Sequence, residues 1–297
     1  MAGAVIARPS LETATHWLAA ERIGAHLQAT FIGWSASVPT TAAETAALSR
    51  ALAAARGAVV DGEVLVEALG ALGRTTHPWV GSWAHRLATA AGDEGGEGRL
   101  DALNAADDDA VLTALDRYGE AFAAAPSLPG RRPETGPAAR AALRGQQLKT
   151  HAGRLGARLG EIAEAARVLA GVMQPDPADW IVAGRLAPGV GFAAVETPRG
   201  RLHHLAQLKA SGDVERYLIL APTEWNFAAD GPFADALQKL RIGAGAARPA
   251  IERLASLYDP CVGCAIELRE VLARDAPVPE DRIGARSDDV RNAARLV

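Results

Sequence analysis

The chain has 297 residues, 49% of them hydrophobic and 22% charged, which is enough for one large domain with an ample core. A net charge of −4 excludes a nucleic-acid binder that works by neutralising phosphates, and two cysteines exclude a disulfide scaffold. Aromatics are only 5% while alanine abounds, which favours helices over an all-β architecture. No apolar run reaches the roughly 18–20 residues of a membrane span, so no membrane insertion is expected. The start, Met1-Ala2-Gly3-Ala4-Val5-Ile6-Ala7-Arg8-Pro9, lacks the basic residues and apolar stretch of a secretory leader. A cytoplasmic chain with reduced cysteines is the expectation.

Residues 1–125 read as a helical part. Thr40 and Thr41 before Glu44 predict a capped helix carrying Leu48, Leu52 and Val59, with Gly57 as a stop signal. Further helices are predicted over about 63–72 and 80–91, before a polar break at Asp93–Gly98. His77, Trp79, Trp83 and His85 cluster at one of these helix starts. Asp109 is the expected cap of a helix with Val111, Leu112, Leu115, Tyr118 and Phe122 at helical spacing. Residues 126–137, with four Pro and two Gly, read as a linker-like loop. One long helix is predicted from Ala138 to about Met173, within a region that runs to 187. Its glycines at 145, 153, 156 and 160 suggest close packing against another backbone.

After Pro188 the texture changes. Val190–Thr197, Arg201–Leu208 and Val214–Ala221 read as short strands, with Ser211-Gly212-Asp213 as a turn. Pro232 opens a helix to Leu240, and Ala250–Leu257 is another. Residues 188–267 carry the motifs, and 268–297 read as a tail. The fold class is α+β, helix-dominated, in a single domain.

Both cysteines fall in Asp259-Pro260-Cys261-Val262-Gly263-Cys264. Asp before Pro predicts a helix start, with Asp259 as N-cap and Pro260 in the first turn. Cys261 and Cys264 then share a face, and the helix N-terminus favours their thiolates. Several uses are open. A redox dithiol wants a strand leading in, and Ile251–Tyr258 looks helical. Structural zinc needs two more ligands, His203 and His204 being nearest. A two-thiolate half-site would suit a metal fragment that brings its own ligands. Two small buried hydrophobes is the plainest alternative.

The surroundings resemble the large subunit of nickel–iron hydrogenases. Leu257-Tyr258-Asp259-Pro260-Cys261-Val262-Gly263-Cys264-Ala265-Ile266-Glu267 is similar to that family's closing Asp-Pro-Cys-x-x-Cys-x-x-His. Glu196-Thr197-Pro198-Arg199-Gly200-Arg201-Leu202-His203-His204 looks like its Glu-Ala-Pro-Arg-Gly-x-Leu-x-His. Pro222-Thr223-Glu224-Trp225-Asn226-Phe227 looks like its Pro-(Ser/Thr)-Thr-Trp-Asn, and Gly231-Pro232 follows in order. Arg22-Ile23-Gly24-Ala25-His26-Leu27 is similar to Arg-Ile-Glu-Gly-His-Leu. The departures are chemical. No cysteine precedes Cys261, so the family's other thiolate pair is missing. Gly24 stands where the family has a proton-transferring carboxylate, and Glu267 where it has a histidine. C-terminal processing is not expected, since the chain runs on to Val297.

This pattern resembles the shortened, HupK-type relatives of the large subunit, the hydrogenase expression/formation proteins. That resemblance implies a truncated large-subunit-like fold with a small antiparallel β element in the C-terminal half. It also implies a non-catalytic scaffold that transiently carries an Fe(CN)2(CO) fragment, without completing a nickel site. Cys261 and Cys264 would be the metal-holding residues. Arg199 and Thr223 would face the cyanides, Pro198 would pack on the diatomic ligands, and Asp259 would pair with Arg199. Implied partners are the hydrogenase large-subunit precursor, the small maturation chaperones and the iron-centre assembly complex. Two alternatives differ in class: a metal-free mimic that binds chaperones, and a degenerate hydrogenase or dithiol oxidoreductase.

Overall fold

The computed structural model describes residues 11–34, 100–146, 148, 150, 151–169, 171, 173–240, 247–261, 266–270 and 292–296. The helices expected within 40–91, and the cluster at His77–His85, lie outside them. The first described helix, α1, runs Leu11–Trp34. Thr15, Leu18, Ala19, Arg22, Ile23 and His26 are all buried, three and four apart, so one stripe faces inward. That stripe mixes apolar with ionisable side chains, and its charged members need partners inside the protein.

The chain is described again from Leu100. Asn104 forms a capping box: its side chain accepts from the Ala106 N–H at 2.9 Å, and the Asp107 carboxylate accepts from the Asn104 N–H at 3.0 Å. One 3-10 turn, Ala105–Asp107, leads into helix α2 (Asp108–Tyr118). Asp109 is therefore not the cap but part of the first turn, because Asn104 closes the helical entry a turn earlier. The helix also ends sooner than expected. Gly119 breaks it, and Phe122 lies in the separate α3 (Glu120–Ala124).

Residues 126–136 form no helix or strand, yet they are not a free tether. Glu134 and Thr135 are buried. The Asn226 amide grips the Thr135 backbone on both sides, accepting from its N–H and donating to its C=O at 3.0 Å each. The prolines and glycines announce a loop without revealing that it is packed. The long helix expected next is two: α4 (Pro137–Leu143) and α5 (His151–Leu169), separated at Gly145. The reading of the glycines in α5 as packing sites holds for Gly153, where a Cβ would stand 3.5 Å from the Leu148 Cα, and not for the other two. A Cβ at Gly156 or Gly160 would meet no heavy atom within 4 Å among the described residues.

A short helix, α6 (Pro177–Trp180), precedes four strands: β1 (Ile181–Ala187), β2 (Val190–Thr197), β3 (Gly200–Leu208) and β4 (Val214–Leu220). They pair antiparallel in sequence order. β2 to β4 match the sequence reading. β1 was missed, because much of it is exposed and it shows no strict apolar alternation. Ala194, Glu196, Arg201, His203, Leu205, Leu218 and Leu220 alternate inward. Helices α7 (Pro222–Asn226) and α8 (Pro232–Lys239) start at prolines whose missing N–H costs nothing there, and α9 (Ala247–Tyr258) follows. Strands β5 (Ile266–Glu270) and β6 (Asn292–Leu296) pair antiparallel, so the segment read as a tail returns to the body.

Two apolar cores hold these layers. One joins Val111, Leu115 and Phe122 to Leu205, Leu218, Leu220 and Trp225 across the sheet. The other joins Leu155 to Phe233, Ile251, Leu254, Leu257 and Tyr258. Where they adjoin, the loop before α4 meets the β2–β3 turn backbone to backbone. A Cβ on Gly136 (φ 112°) would stand 2.8 Å from the Arg199 carbonyl oxygen, and one on Gly200 (φ 136°) would stand 2.8 Å from the Gly136 nitrogen. Left-handed backbone and overpacking act together at Gly200, so Gly200→Ala is expected to cost roughly 2–4 kcal/mol. Urea unfolding of the full chain measures it.

Candidate functional site

The turn between β2 and β3 consists of Pro198 and Arg199, closed by the Thr197–Gly200 pair. The Thr197 hydroxyl donates to the Gly200 carbonyl at 2.8 Å. Arg140 of α4 clamps the turn from beneath, donating to the Thr197 and Pro198 carbonyls at 3.2 and 3.0 Å. Pro198 is buried, while the Arg199 side chain keeps 32% exposure. The turn thus has a fixed base and one accessible guanidinium.

The second component is the end of α9. Leu254, Leu257 and Tyr258 anchor it in the core. Arg158 of α5 donates through Nη2 to the Ser256 and Leu257 carbonyls at 3.0 Å each. These groups lack helical donors and carry the negative end of the helix dipole, so a buried cation satisfies both needs. Arg154 stacks over the Tyr258 ring, 4.6 Å from its centroid, and pairs with Glu134 through both terminal guanidinium nitrogens, the Nη2 contact being 2.7 Å.

Asp259 then turns the chain. Its φ is 51°, in the left-handed region, and Cys261 sits two residues on, exposed in a bend. The expected N-cap is corrected: no helix starts at Pro260. Asp259 is the left-handed residue after a helix C-terminus, a place where Asp is tolerated and a following Pro prevents continuation. The Asp-Pro pair reads equally as start or stop, and the apolar period of α9, which runs through Tyr258, decides for a stop. Cys264 lies outside the described residues.

The two components meet at Arg199 and Asp259, whose Nε and Oδ2 are 3.3 Å apart. The contact is an ion pair without hydrogen-bond alignment, since both atoms lack a hydrogen-bond partner. The cleft around them is walled by Arg154, Arg158, Asn226 and Tyr258 as well. Thr223, half-buried on α7, is not part of that wall. Pro198 is also absent from it. His203 is fully buried with Nε2 on the Asp108 carboxylate at 2.9 Å, and His204 stacks on Tyr217. Neither matches the zinc alternative, and among the described residues no group of three His, Cys, Asp or Glu could hold a metal ion.

Beneath the turn runs a ladder of buried charge. His26 contacts Glu161 at 2.8 Å; Arg140 contacts Glu161 at 2.6 and 2.8 Å and Glu196 at 2.7 Å. Arg201 contacts Glu196 at 3.1 Å and holds Asp108, which also holds His203. Arg22, stacked 3.9 Å from the Trp180 ring centroid, donates to the Glu196 carbonyl at 3.2 Å. The N-terminal Arg22–His26 segment is therefore seated on the hairpin that carries Arg199. Burial pulls the Arg22 pKa down to about 10. Burial alone would raise Glu161, but Arg140 and His26 outweigh it and hold the carboxyl well below its usual range. Asp108 is likewise held down, by Arg201 and His203 against burial.

A pH dependence follows. Burial, then Arg154 and Arg253, push His151 down to about 4, and burial also lowers His26. An unfolded histidine titrates near 6.5, so between about 6.5 and 4 the unfolded chain binds protons that the native chain refuses. Stability from these histidines is full above pH 6.5 and declines below it. Stability from Glu161 and Asp108 is present above the unfolded carboxyl value, near 4, and is lost as pH falls through their lowered values. The urea midpoint is expected to be lower at pH 5 than at pH 7.5, and His151→Gln should shrink the difference.

Arg140, Arg154, Arg158 and Asn226 shape this site, and the sequence reading gave none of them a role. One signal was available. His151, Arg154, Arg158 and Glu161 stand three and four apart on a helix, the spacing of a buried stripe, with ionisable residues where apolar ones belong.

The nickel-dependent hydrogenase family matches residues 138–267. The chain is similar to the hydrogenase expression/formation protein HupK of Rhizobium leguminosarum bv. viciae, 34% identical over 287 residues, covering 85% of this chain and 75% of that one. It is 38% identical over 275 residues to the HupK of Bradyrhizobium diazoefficiens, covering 84% and 74%. Among solved structures, an NAD+-reducing NiFe-hydrogenase in its H2-reduced state shares the fold, with TM-score 0.50 and 15% identity over 84% of this chain and 78% of that one.

Proposed function

Because the chain belongs to the HupK family of hydrogenase expression/formation proteins, we propose that it is a non-catalytic scaffold. Its cargo is a preassembled Fe(CN)2(CO) fragment, held on Cys261 and Cys264 and passed to the hydrogenase large-subunit precursor. The single observation that carries this reading is the meeting of Arg199 with Asp259, two residues before Cys261, in a cleft lined by guanidinium groups. Thiolates are soft ligands suited to such an iron centre, and both thiols give up their protons on binding it. The cyanides are anionic acceptors, and Arg199 offers them a permanently charged planar donor array. In this reading the Thr223 hydroxyl serves a second cyanide and Pro198 packs on the diatomic ligands. Asp259 sets the orientation of the guanidinium, as a supporting residue orients a ligand around a metal. Cys261 is exposed, so cargo reaches it and leaves without unfolding. Small maturation chaperones and the iron-centre assembly complex are the donors of the cargo.

Infrared absorption of the full chain tests the reading. The protein is purified after co-expression with the maturation machinery. Cyanide and carbonyl stretching bands that travel with the protein are the expected result. A spectrum empty in that region after co-expression refutes cargo carriage.

A further inference from the structure

Arg158 of α5 is only 2% exposed, and its two terminal nitrogens are used unequally. Nη2 donates to the Ser256 and Leu257 carbonyls, while Nη1 is buried with no hydrogen-bond acceptor among the described residues. Arg199 Nε and Asp259 Oδ2 are in the same condition, facing each other at 3.3 Å without alignment. Arg158, Arg199 and Asp259 all line one cleft. Arg158 feels the Asp259 charge, yet no nitrogen–oxygen contact within 4 Å joins the two. A buried polar atom without a partner is costly, so three around one cleft call for a common partner. Charge does not ask for an ion. Glu134 answers Arg154, Asp259 answers Arg199, Glu161 acts on Arg158 as well, and Glu21 acts on Arg199. The unmet capacity is two N–H donors and one carboxylate acceptor, which one neutral molecule that both accepts and donates would satisfy.

We infer that a single bound water sits in the cleft between α5, the β2–β3 turn and the end of α9, accepting from Arg158 Nη1 and Arg199 Nε and donating to Asp259 Oδ2. The cleft has room for a group only about the size of one water molecule, and a buried water typically makes about three hydrogen bonds. A bridge of this kind is nearly as favourable in enthalpy as a direct hydrogen bond. Arg158 then grips the segment that leads to Cys261 twice. One grip is direct, on the last-turn carbonyls of α9, and the other runs through the water to Asp259, whose backbone is left-handed. Arg158 is thereby a positioning residue for Arg199, acting through the water and Asp259, as supporting groups orient those that face a metal. Its bearing on cargo rests on the scaffold reading, whereas the water does not.

A crystal structure of the full chain, purified without maturation partners and at a resolution that shows ordered water, tests the site. One water within about 3.2 Å of both Arg158 Nη1 and Asp259 Oδ2 is the expected result. A cleft without density there overturns the site. So does an anion in its place, revealed by anomalous signal in crystals grown in bromide. The positioning role is read by infrared absorption of Arg158→Met and Arg158→Lys, each co-expressed with the maturation machinery. Arg158→Met should shift the cyanide bands, and Arg158→Lys, which keeps the charge, should return them part of the way. A merely structural arginine would lower the urea midpoint and the amount of cargo without moving the bands. Unchanged cyanide frequencies in a folded, loaded variant overturn the positioning role, and Arg158→Lys supplies that measurement should Arg158→Met fail to fold. A wild-type protein that holds the water but never acquires iron-fragment bands upholds the water site while refuting the cargo reading.

Discussion

Replacing Arg140 with methionine is expected to destabilise the protein by about 3–5 kcal/mol, the range for stranding one half of a buried ion pair. Arg140 holds Glu161 through two bonds and Glu196 through a third, and the Glu161 side chain has no exposed surface. Without the guanidinium, Glu161 keeps only His26, which burial holds neutral. The β2–β3 turn also loses its two carbonyl anchors. Urea unfolding at pH 7.5 measures the change. The double variant Arg140→Met with Glu161→Met should recover part of it, because the buried charge left behind is then gone. Lys239→Ala, which breaks an exposed pair with Asp235, should stay within about 1 kcal/mol of wild type. A small effect of Arg140→Met would mean that the ladder does not fasten the turn.

Cys261→Ser is expected to have the opposite profile: little change in stability and loss of function. Cys261 is exposed in a bend and contributes nothing to either apolar core. A serine hydroxyl is a hard, high-pKa donor and does not replace a thiolate toward an iron centre. The infrared bands should disappear from the purified variant, and the hydrogenase that the protein serves should remain inactive in a host that has only this variant. The conservative size of the change removes packing as an explanation. Full hydrogenase activation by a chain in which Cys261 and Cys264 are both serine would instead establish a metal-free mimic of the large subunit.

Much of the C-terminal half was legible. The strands β2, β3 and β4 show alternation that only a half-buried sheet requires, and Pro232 marks the start of α8, whereas the five-residue α7 at Pro222 is too short to show an apolar period and was not read. Arg199 and Asp259 were legible through their motif neighbours, 60 positions apart in sequence and adjacent in space. The direction of the chain at Asp259 was not, because an Asp-Pro step suits a helix entrance and a helix exit alike. Arg140 and Arg158 were hidden for a different reason. An arginine in an alanine-rich helix ordinarily reads as a solvated side chain, and only the fold brings Glu161 and Glu196 to Arg140 and the last-turn carbonyls of α9 to Arg158. The loop before α4 was misjudged in the same way, since proline and glycine report backbone irregularity and carry no information about burial.

The polar face of α5 has a consequence for how this protein tolerates change. Arg154 meets Glu134 and Tyr258, Arg158 meets the end of α9, and Glu161 meets α1 and α4, all from one helix. Removing a single residue between Arg154 and Arg158 would rotate everything downstream by about 100°. Arg158 and Glu161 would swing away together, and the turn bearing Arg199 and the segment bearing Cys261 would lose their shared footing at once. A substitution on α5 breaks one of these links, whereas a change in its length between these positions breaks every link downstream, so that length is fixed by helical phase.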